Sequence, residues 1–165
     1  MKSSFILDTN TTFDSYQLDK ILLHSLKKNN YIHPTLIQSQ FIPYALQHND
    51  IICQSRTGSG KTLSYVIPIL HNLLSSQTSK NYIRVIIINP SRELCFQCKN
   101  VIDTLIRGIP SISCLNTAQD DIYMNKKGNK TINEILIGTP ASLLSYLKKS
   151  GNSIENEDRS NILSN

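Results

Sequence analysis

A glycine-rich loop at residues 55–62 limits the folds open to this sequence more than any other segment. It reads SRTGSGKT and nearly matches the phosphate-binding pattern G-x-x-x-x-G-K-[ST], with serine at the first position. The apolar run DIICQ before it predicts a short buried strand, and the apolar periodicity from Lys61 onward predicts a helix. A strand, a glycine loop and a helix in this order predict a site for a nucleoside triphosphate. The predicted binding residues are Ser55, Arg56, Thr57, Gly58, Ser59, Gly60, Lys61 and Thr62.

The glycines, the lysine and the threonine of this pattern each have a physical role. Gly58 and Gly60 allow the backbone to turn successive N–H groups toward a phosphate, and the helix that follows adds the positive end of its dipole. Lys61 offers a positive charge to the terminal phosphates, and Thr62 offers a hydroxyl ligand to Mg²⁺, so these two are the predicted catalytic residues. The loop alone leaves kinase, GTPase, ATPase and helicase activities open.

The rest of the sequence predicts strands that alternate with helices. An apolar stripe predicts a helix at Leu18–Leu26, and Pro34 with Thr35 is expected to open a second helix that Pro43 breaks or kinks. Strands are predicted at RVIIINP, SISCLN and EILIG, and the first of them is expected to be covered on both faces. Helices are predicted at SRELCFQCKNVIDTLIRG and TPASLLSYLKK, and the second helix is expected to end near Gly151. This order predicts an α/β fold in three layers, a parallel sheet flanked by helices.

Composition narrows the chemistry only slightly. Lys and Arg outnumber Asp and Glu by 17 to 12, which fits an acidic partner such as nucleic acid and equally fits an ordinary soluble surface. The spacing of a disulfide scaffold is absent from the cysteines Cys53, Cys95, Cys98 and Cys114. The single C-x-x-C has no second pair, so we expect buried or half-buried thiols rather than zinc. No apolar run approaches membrane-spanning length, and we expect a soluble intracellular protein without a membrane partner.

A second motif lies upstream of the loop. The segment NYIHPTLIQ, residues 30–38, resembles the Q motif of the DEAD-box RNA helicases. The resemblance implies that Gln38 reads adenine, since an amide presents a donor and an acceptor together and so favours ATP over GTP. Phe13 stands where that family places an aromatic residue that stacks on the base. Asn30 replaces a glycine, and Asn also adopts left-handed backbone conformations.

Two further segments resemble RNA-contacting motifs of the same family. PSREL, residues 90–94, is similar to P-T-R-E-L, and this implies that Pro90, Ser91 and Arg92 hold RNA phosphates while Glu93 braces the loop by an ion pair. This segment and the second one, GTPASLL, are both predicted to lie where a strand passes into a helix.

The second of these segments departs from the family pattern. GTPASLL, residues 138–144, is similar to T-P-G-R-L and implies RNA contacts from Thr139 and Pro140. Ala141 replaces glycine and Ser142 replaces arginine, so one expected positive contact is missing. CLNTAQDD occupies the place of the family's paired glycines.

Together the motifs resemble the N-terminal RecA-like P-loop NTPase domain of a DEAD-box helicase, in incomplete form. We expect an N-terminal tail at 1–12, a partial helicase ATP-binding domain at 13–149 and a polar tail or unfinished loop at 150–165. The sequence contains no D-E-A-D box, so this chain alone is expected to bind ATP and Mg²⁺ without RNA-stimulated hydrolysis. A catalytically inactive nucleotide- or RNA-binding fragment and another P-loop kinase or GTPase are the alternatives.

The resemblance also implies partners and a location. NTAQD and IGTPASLLSYL look most similar to the nucleolar branch that assists assembly of the large ribosomal subunit. It therefore implies a monomeric protein in the nucleus or nucleolus that binds RNA through its backbone, with pre-ribosomal particles as partners.

Overall fold

The computed structural model describes residues 6–76, 82–119 and 133–148. A short 3₁₀ helix at Phe13–Tyr16 comes first. The longer elements follow in chain order: α1 Lys20–Lys28, α2 Leu36–Leu46, α3 Lys61–Ser75, β1 Val85–Ile88, α4 Arg92–Ile106, β2 Cys114–Asn116, β3 Ile135–Gly138 and α5, residues 140–148. They form two compact units, one with the described residues 6–76 and 100–112, and the other with 82–99, 113–119 and 133–148.

The second unit contains a parallel sheet in the order β1-β3-β2. Val85 of β1 and Cys114 of β2 both lie opposite Ile135 of β3. Side chains 135–137 of β3 are 0% exposed, because this strand has a neighbour on each side and both of its faces are covered. The predicted α/β class with a parallel sheet is confirmed, as are the strands expected at RVIIINP, SISCLN and EILIG.

An ion pair ties the beginnings of β1 and β3 together. Arg84 Nη1 lies 3.0 Å from Glu134 Oε1, and the two side chains are only 12% and 4% exposed. The backbone repeats this contact, because the N–H groups of Arg84 and Val85 both donate to the Glu134 carbonyl at 2.9 and 3.0 Å. Two kinds of interaction therefore fix the register of the first sheet pair.

The first unit has an apolar helical core. Its fully buried side chains are Phe13, Leu22, Leu26, Ile42, Val66, Ile67, Leu70, Ile102 and Leu105. Asp19 caps α1 by accepting from the Ile21 N–H at 2.8 Å, and Ser25 Oγ donates to the Leu105 carbonyl at 2.6 Å. Within the described ranges, no helix combines the length and apolarity needed to cross a lipid bilayer.

The strand expected at DIICQ is not formed. Residues 51–56 belong to neither a helix nor a strand, and the Ile52 side chain is fully exposed. In the part of the chain that the structure describes, the sheet consists of β1, β3 and β2. Apolar residues make a strand only where a neighbour pairs with the backbone groups, so the composition of DIICQ is insufficient.

Two other expectations are corrected. β1 is not covered on both faces, because Ile86 and Ile88 are 51% and 64% exposed while Ile87 is buried. α2 runs through Pro43 without a break. A proline inside a helix removes one N–H donor without always ending the helix, and a kink at Pro43 stays a prediction.

The C-x-x-C pair has the buried thiols that the sequence predicts. Cys95 and Cys98 lie on α4, and both side chains are buried. Burial raises the pKa of the Cys95 thiol. Among the described residues, no group of His, Cys, Asp or Glu could hold a metal ion.

Removing the Arg84–Glu134 ion pair should destabilise the chain more than removing an exposed one. Glu134→Ala leaves the Arg84 guanidinium nearly buried without its carboxylate, so the free energy of unfolding should fall by about 3 kcal/mol. Lys27→Ala breaks the Lys27–Asp14 pair, whose side chains are 51% exposed, and should cost less than about 1 kcal/mol. Urea denaturation measures both values, and equal losses would contradict the structural role of Glu134.

Thiol reactivity should follow burial. A maleimide should modify the partly exposed Cys53 at least about tenfold faster than Cys95, since the buried thiol is inaccessible and its raised pKa keeps it protonated. Mass spectrometry of the digested protein gives the rate at each position. Equal rates in urea are the control, and rapid native labelling of Cys95 would refute its burial.

Candidate functional site

The glycine loop is shaped by two backbone conformations that suit glycine. Gly58 and Gly60 have φ angles of 74° and 95°, in the left-handed region. Gly60 immediately precedes α3, and no side chain of the described residues caps the start of this helix. The first N–H groups of α3 therefore lie at an uncapped positive helix end, which is a favourable place for a phosphate.

Lys61 is held within the loop by backbone oxygens. Its ammonium donates to the carbonyls of Ser55 and Arg56 at 2.7 and 2.6 Å, and the hydroxyls of Ser55 and Ser59 hydrogen-bond each other at 2.7 Å. An ammonium has three N–H donors, so these two bonds leave one for a phosphate oxygen. Thr62 is the next residue of α3 and is partly exposed.

Gln38 connects the start of α2 with the glycine loop. Thr35 and Gln38 form a capping box, in which the Thr35 N–H donates to Gln38 Oε1 at 2.9 Å and the Gln38 N–H donates to Thr35 Oγ1 at 3.4 Å. Gln38 Nε2 then donates to the Gly60 carbonyl at 3.1 Å. The Gln38 side chain is only 3% exposed, so its amide packs against the glycine loop and is not solvated.

Gly60 leaves room for the Gln38 amide. A Cβ at position 60 would lie 2.6 Å from Gln38 Nε2 and 3.1 Å from Thr35 Oγ1. Glycine is thus required here by both its φ angle and its close neighbours. Thr35 belongs to the site as well, and sequence reasoning assigned it only to the helix start; the T-x-x-Q spacing is the signal that predicts its bond with Gln38.

Phe13 lies in the same unit but is buried. Its side chain is 1% exposed, and its ring is tilted by 59° against that of Tyr16, with centroids 6.3 Å apart. Burial raises the pKa of the Tyr16 phenol. The Phe13 N–H donates to the Ile32 carbonyl at the Q motif. Phe13 stacking on a base stays a prediction, and it requires the ring face to become accessible.

The residues before Phe13 also contact the Q motif. Leu7 forms an antiparallel bridge with Thr35, and the Asp8 N–H donates to the Pro34 carbonyl at 2.9 Å. A hydrogen bond from the Thr11 hydroxyl lowers the pKa of Asp8. Asn30 has a φ angle of 61°, as expected for a residue in the place of glycine. The segment 6–12 therefore shapes the Q-motif loop, a contact that no local sequence pattern predicts.

The PSREL segment begins α4 in the second unit. Pro90 and Arg92 are exposed, and Ser91 Oγ accepts from the Leu94 N–H at 3.3 Å. Hydrogen bonds from its own N–H and from Ser91 lower the pKa of Glu93. Bracing of this loop by an ion pair of Glu93 stays a prediction.

The GTPAS segment begins α5 in the same unit. The Thr139 N–H donates to Ser142 Oγ at 3.0 Å, and the Ser142 N–H donates to Thr139 Oγ1 at 3.3 Å. Thr117, which follows β2, shares a hydrogen bond of 2.9 Å with Ser142 Oγ. Pro140 is exposed beside them. Sequence reasoning missed Thr117, because its only link to the motif is spatial.

Sequence comparison places these motifs in a known family. The profile of the DEAD/DEAH box helicase family matches residues 35–162. The chain belongs to this family. The predicted resemblance to DEAD-box proteins is thereby confirmed, while the assignment of each motif and the role of each residue stay predictions.

Several curated helicases are similar over most of this chain. The chain is 38% identical to the ATP-dependent RNA helicase DBP9 of Scheffersomyces stipitis, with 91% of this chain and 27% of that protein covered. It is 40% identical to DBP9 of Candida albicans, with 93% and 27% covered. It is 35% identical to the probable ATP-dependent RNA helicase ddx56 of Dictyostelium discoideum, with 88% and 22% covered. The chain thus spans about a quarter of the length of these family members.

Solved DEAD-box structures share the fold. A DEAD box protein from the hyperthermophile Methanococcus jannaschii matches with a TM-score of 0.66 and 31% identity, covering 84% of this chain and 37% of that one. Saccharomyces cerevisiae dbp5, in a complex with gle1, matches with a TM-score of 0.71 at 24% identity over 84% of this chain and 34% of that one, which supports the fold alone.

Substitution of Gly60 should separate backbone strain from steric contact. Gly60→Ala and Gly108→Ala both place a side chain at a positive φ and should each cost about 1 kcal/mol of unfolding free energy. Gly60→Ala should cost about 1–2 kcal/mol more, because its Cβ meets Gln38 and Thr35, whereas nothing lies within 4 Å at Gly108. Chemical denaturation of the two variants tests this, and equal losses would disprove the close approach of Gln38 to Gly60.

Proposed function

We propose that this chain is the nucleotide-binding portion of an ATP-dependent RNA helicase. The hydrogen bond from Gln38 Nε2 to the Gly60 carbonyl is the observation that carries the proposal. It joins the residue that would read the base to the loop that would hold the phosphates, and a phosphate loop of another NTPase class has no need of this glutamine. The relatives, all named ATP-dependent RNA helicases or probable ones, support the same function.

The residues of the loop fit a nucleoside triphosphate with Mg²⁺. The uncapped start of α3 offers N–H groups, and Lys61 adds a fixed positive charge whose third donor is unused by the loop carbonyls. Arg56 is exposed on the same loop and adds a second cation. The Thr62 hydroxyl would be a Mg²⁺ ligand, and bound Mg²⁺ would neutralise phosphate charge.

Adenine selection would come from the Q motif. Gln38 uses its Oε1 on Thr35 and one Nε2 hydrogen on Gly60, so its position is fixed before a base arrives. Phe13 is held next to the Q motif by its backbone bond to Ile32 and would add an aromatic contact once exposed. Fixing these groups in advance reduces the entropy that nucleotide binding must overcome.

RNA would be held by the loops that follow the strands of the second unit. Arg92 is exposed at the start of α4, where its charge and the helix end both favour a phosphate. Thr139 and Pro140 lie at the start of α5, after the central strand β3. Contacts of this kind reach the sugar–phosphate backbone and give sequence-independent binding, and the intact protein would couple ATP use to RNA strand separation.

The proposed biological setting is the one that the resemblance of the motifs to the nucleolar branch of the family implies. We place the intact protein in ribosome biogenesis, as a monomer in the nucleus or nucleolus that acts on pre-ribosomal particles. The similarity to relatives named ATP-dependent RNA helicases supports RNA as a partner. Co-sedimentation of the tagged full-length protein with pre-ribosomal particles tests the partner, and exclusive recovery of the protein in RNA-free fractions would contradict it.

Nucleotide binding by the 165-residue chain tests the proposed function directly. Lys61→Ala should weaken ATP and GTP alike, by about 10- to 100-fold, because a charge-assisted phosphate contact is lost. Gln38→Ala should weaken both nucleotides, because the bond to the Gly60 carbonyl is lost, and should weaken ATP about tenfold more than GTP, which removes the preference for adenine. Calorimetric titration with Mg²⁺ and each nucleotide measures these affinities.

The controls keep folding and recognition apart. Gln40→Ala removes an exposed glutamine from the same helix and should bind ATP like the unsubstituted chain. Thermal unfolding shows whether Gln38→Ala remains folded at the titration temperature. Unchanged ATP affinity in Lys61→Ala, or an equal affinity of the unsubstituted chain for ATP and GTP, would rule out the proposed nucleotide site.

A further inference from the structure

The described segments at the carboxyl ends of β2 and β3, as far as residues 119 and 147, carry no charged side chain. These strands are parallel neighbours, so the loops that follow them lie at the same edge of the sheet. Residues 113–119 and 135–147 contain no Asp, Glu, Lys or Arg. Any contact between RNA phosphate and these two segments must therefore use neutral N–H and O–H donors.

Three hydroxyls join the two loops in what we call the hydroxyl cluster, formed by Thr117, Thr139 and Ser142. Ser142 Oγ lies 2.9 Å from Thr117 Oγ1 and 3.2 Å from Thr139 Oγ1. Thr117 Oγ1 also hydrogen-bonds the Ile137 carbonyl at 3.2 Å, and Thr117 is only 5% exposed. The position of Ser142 is thus set by a buried group on the neighbouring loop.

Gly138 permits this arrangement. A Cβ at position 138 would overlap Thr117 Oγ1 and lie 2.7 Å from Ser142 Oγ and 2.8 Å from Leu143 Cγ. The cluster therefore packs directly against the backbone at the end of β3. A long cationic side chain at position 142 could not make the same short hydrogen bonds to Thr117 and Thr139.

The cluster also determines which donor of the first turn of α5 is open. Thr139 and Ser142 use their N–H groups on each other's hydroxyls, and Pro140 has none. Within the described ranges, this leaves the N–H of Ala141 as the donor of this turn that no hydrogen bond occupies. Ala141 is exposed, so its N–H is accessible to a phosphate oxygen.

We propose that Ser142 and Thr117 are positioning residues that fix the start of α5 for a neutral contact with RNA phosphate, replacing the cationic contact that the family motif supplies there. The proposal rests on the RNA-binding part of the proposed function. Loss of either hydroxyl frees the loop and weakens RNA binding. The slope of affinity against salt concentration stays the same, because no charged contact is lost.

Variants of Thr117 test the role of the hydroxyl with little change in volume. Thr117→Val replaces the hydroxyl by a methyl group, and Thr117→Ser retains it. We expect Thr117→Val and Ser142→Ala to weaken binding of a fluorescent oligouridine about three- to tenfold, and Thr117→Ser to restore it to within about twofold. Ser145→Ala, an exposed serine on the same helix, is the matched control. Fluorescence anisotropy at several salt concentrations gives the affinity and the slope.

The outcomes distinguish this proposal from the proposed function. If the unsubstituted chain binds no oligouridine, the RNA-binding function fails and the proposal with it. If that chain binds but Thr117→Val binds equally well, the positioning role alone is overturned. A decrease of about one unit in the salt slope of Ser142→Ala would also overturn it, since that result requires a lost charged contact. Unchanged ATP affinity in the same variants excludes general unfolding as the cause.

Discussion

The glycine loop of the first unit depends on one side-chain amide. Gln38 accepts from the Thr35 N–H with its oxygen and donates to the Gly60 carbonyl with its nitrogen, so it joins the starts of α2 and α3. An acid at this position could accept from Thr35 but could not donate to Gly60, and an alkyl group could do neither. The residue type therefore follows from the local hydrogen bonding before any nucleotide is considered.

The second unit fixes its loops by the same physical means with different groups. Ser142 takes the place that Gln38 has in the first unit, and Gly138 allows its close approach as Gly60 does for the amide. In both units the polar side chain of the third helical residue accepts from the N–H of the residue before the helix and also hydrogen-bonds a second segment. Loops that must meet a ligand can then remain exposed without becoming mobile, because neutral hydrogen bonds to buried partners hold them.

Local patterns predicted the elements whose causes are local. The start of α2 follows from Thr35, the left-handed turn at Asn30 from the tolerance of asparagine, and the sheet class from strands alternating with helices. The strand expected at DIICQ and the coverage of β1 were wrong, because each depends on a neighbour that a local run of residues does not specify. The continuous course of α2 through Pro43 depends likewise on packing around the helix.

Ser142 is a further residue whose surroundings depend on a neighbour that is distant in the sequence. From the sequence alone, Ser142 replaces the arginine of the family motif, and the expected result is a weaker contact with RNA phosphate. The structure shows a further effect of this replacement. The Ser142 hydroxyl hydrogen-bonds Thr117, 25 positions away, and so joins the loops that follow β2 and β3. An arginine contributes charge and a long reach, whereas this serine contributes a fixed position for an uncharged helix end. The motif is thus altered in the kind of contact it offers, from one that salt screens strongly to one that depends on geometry.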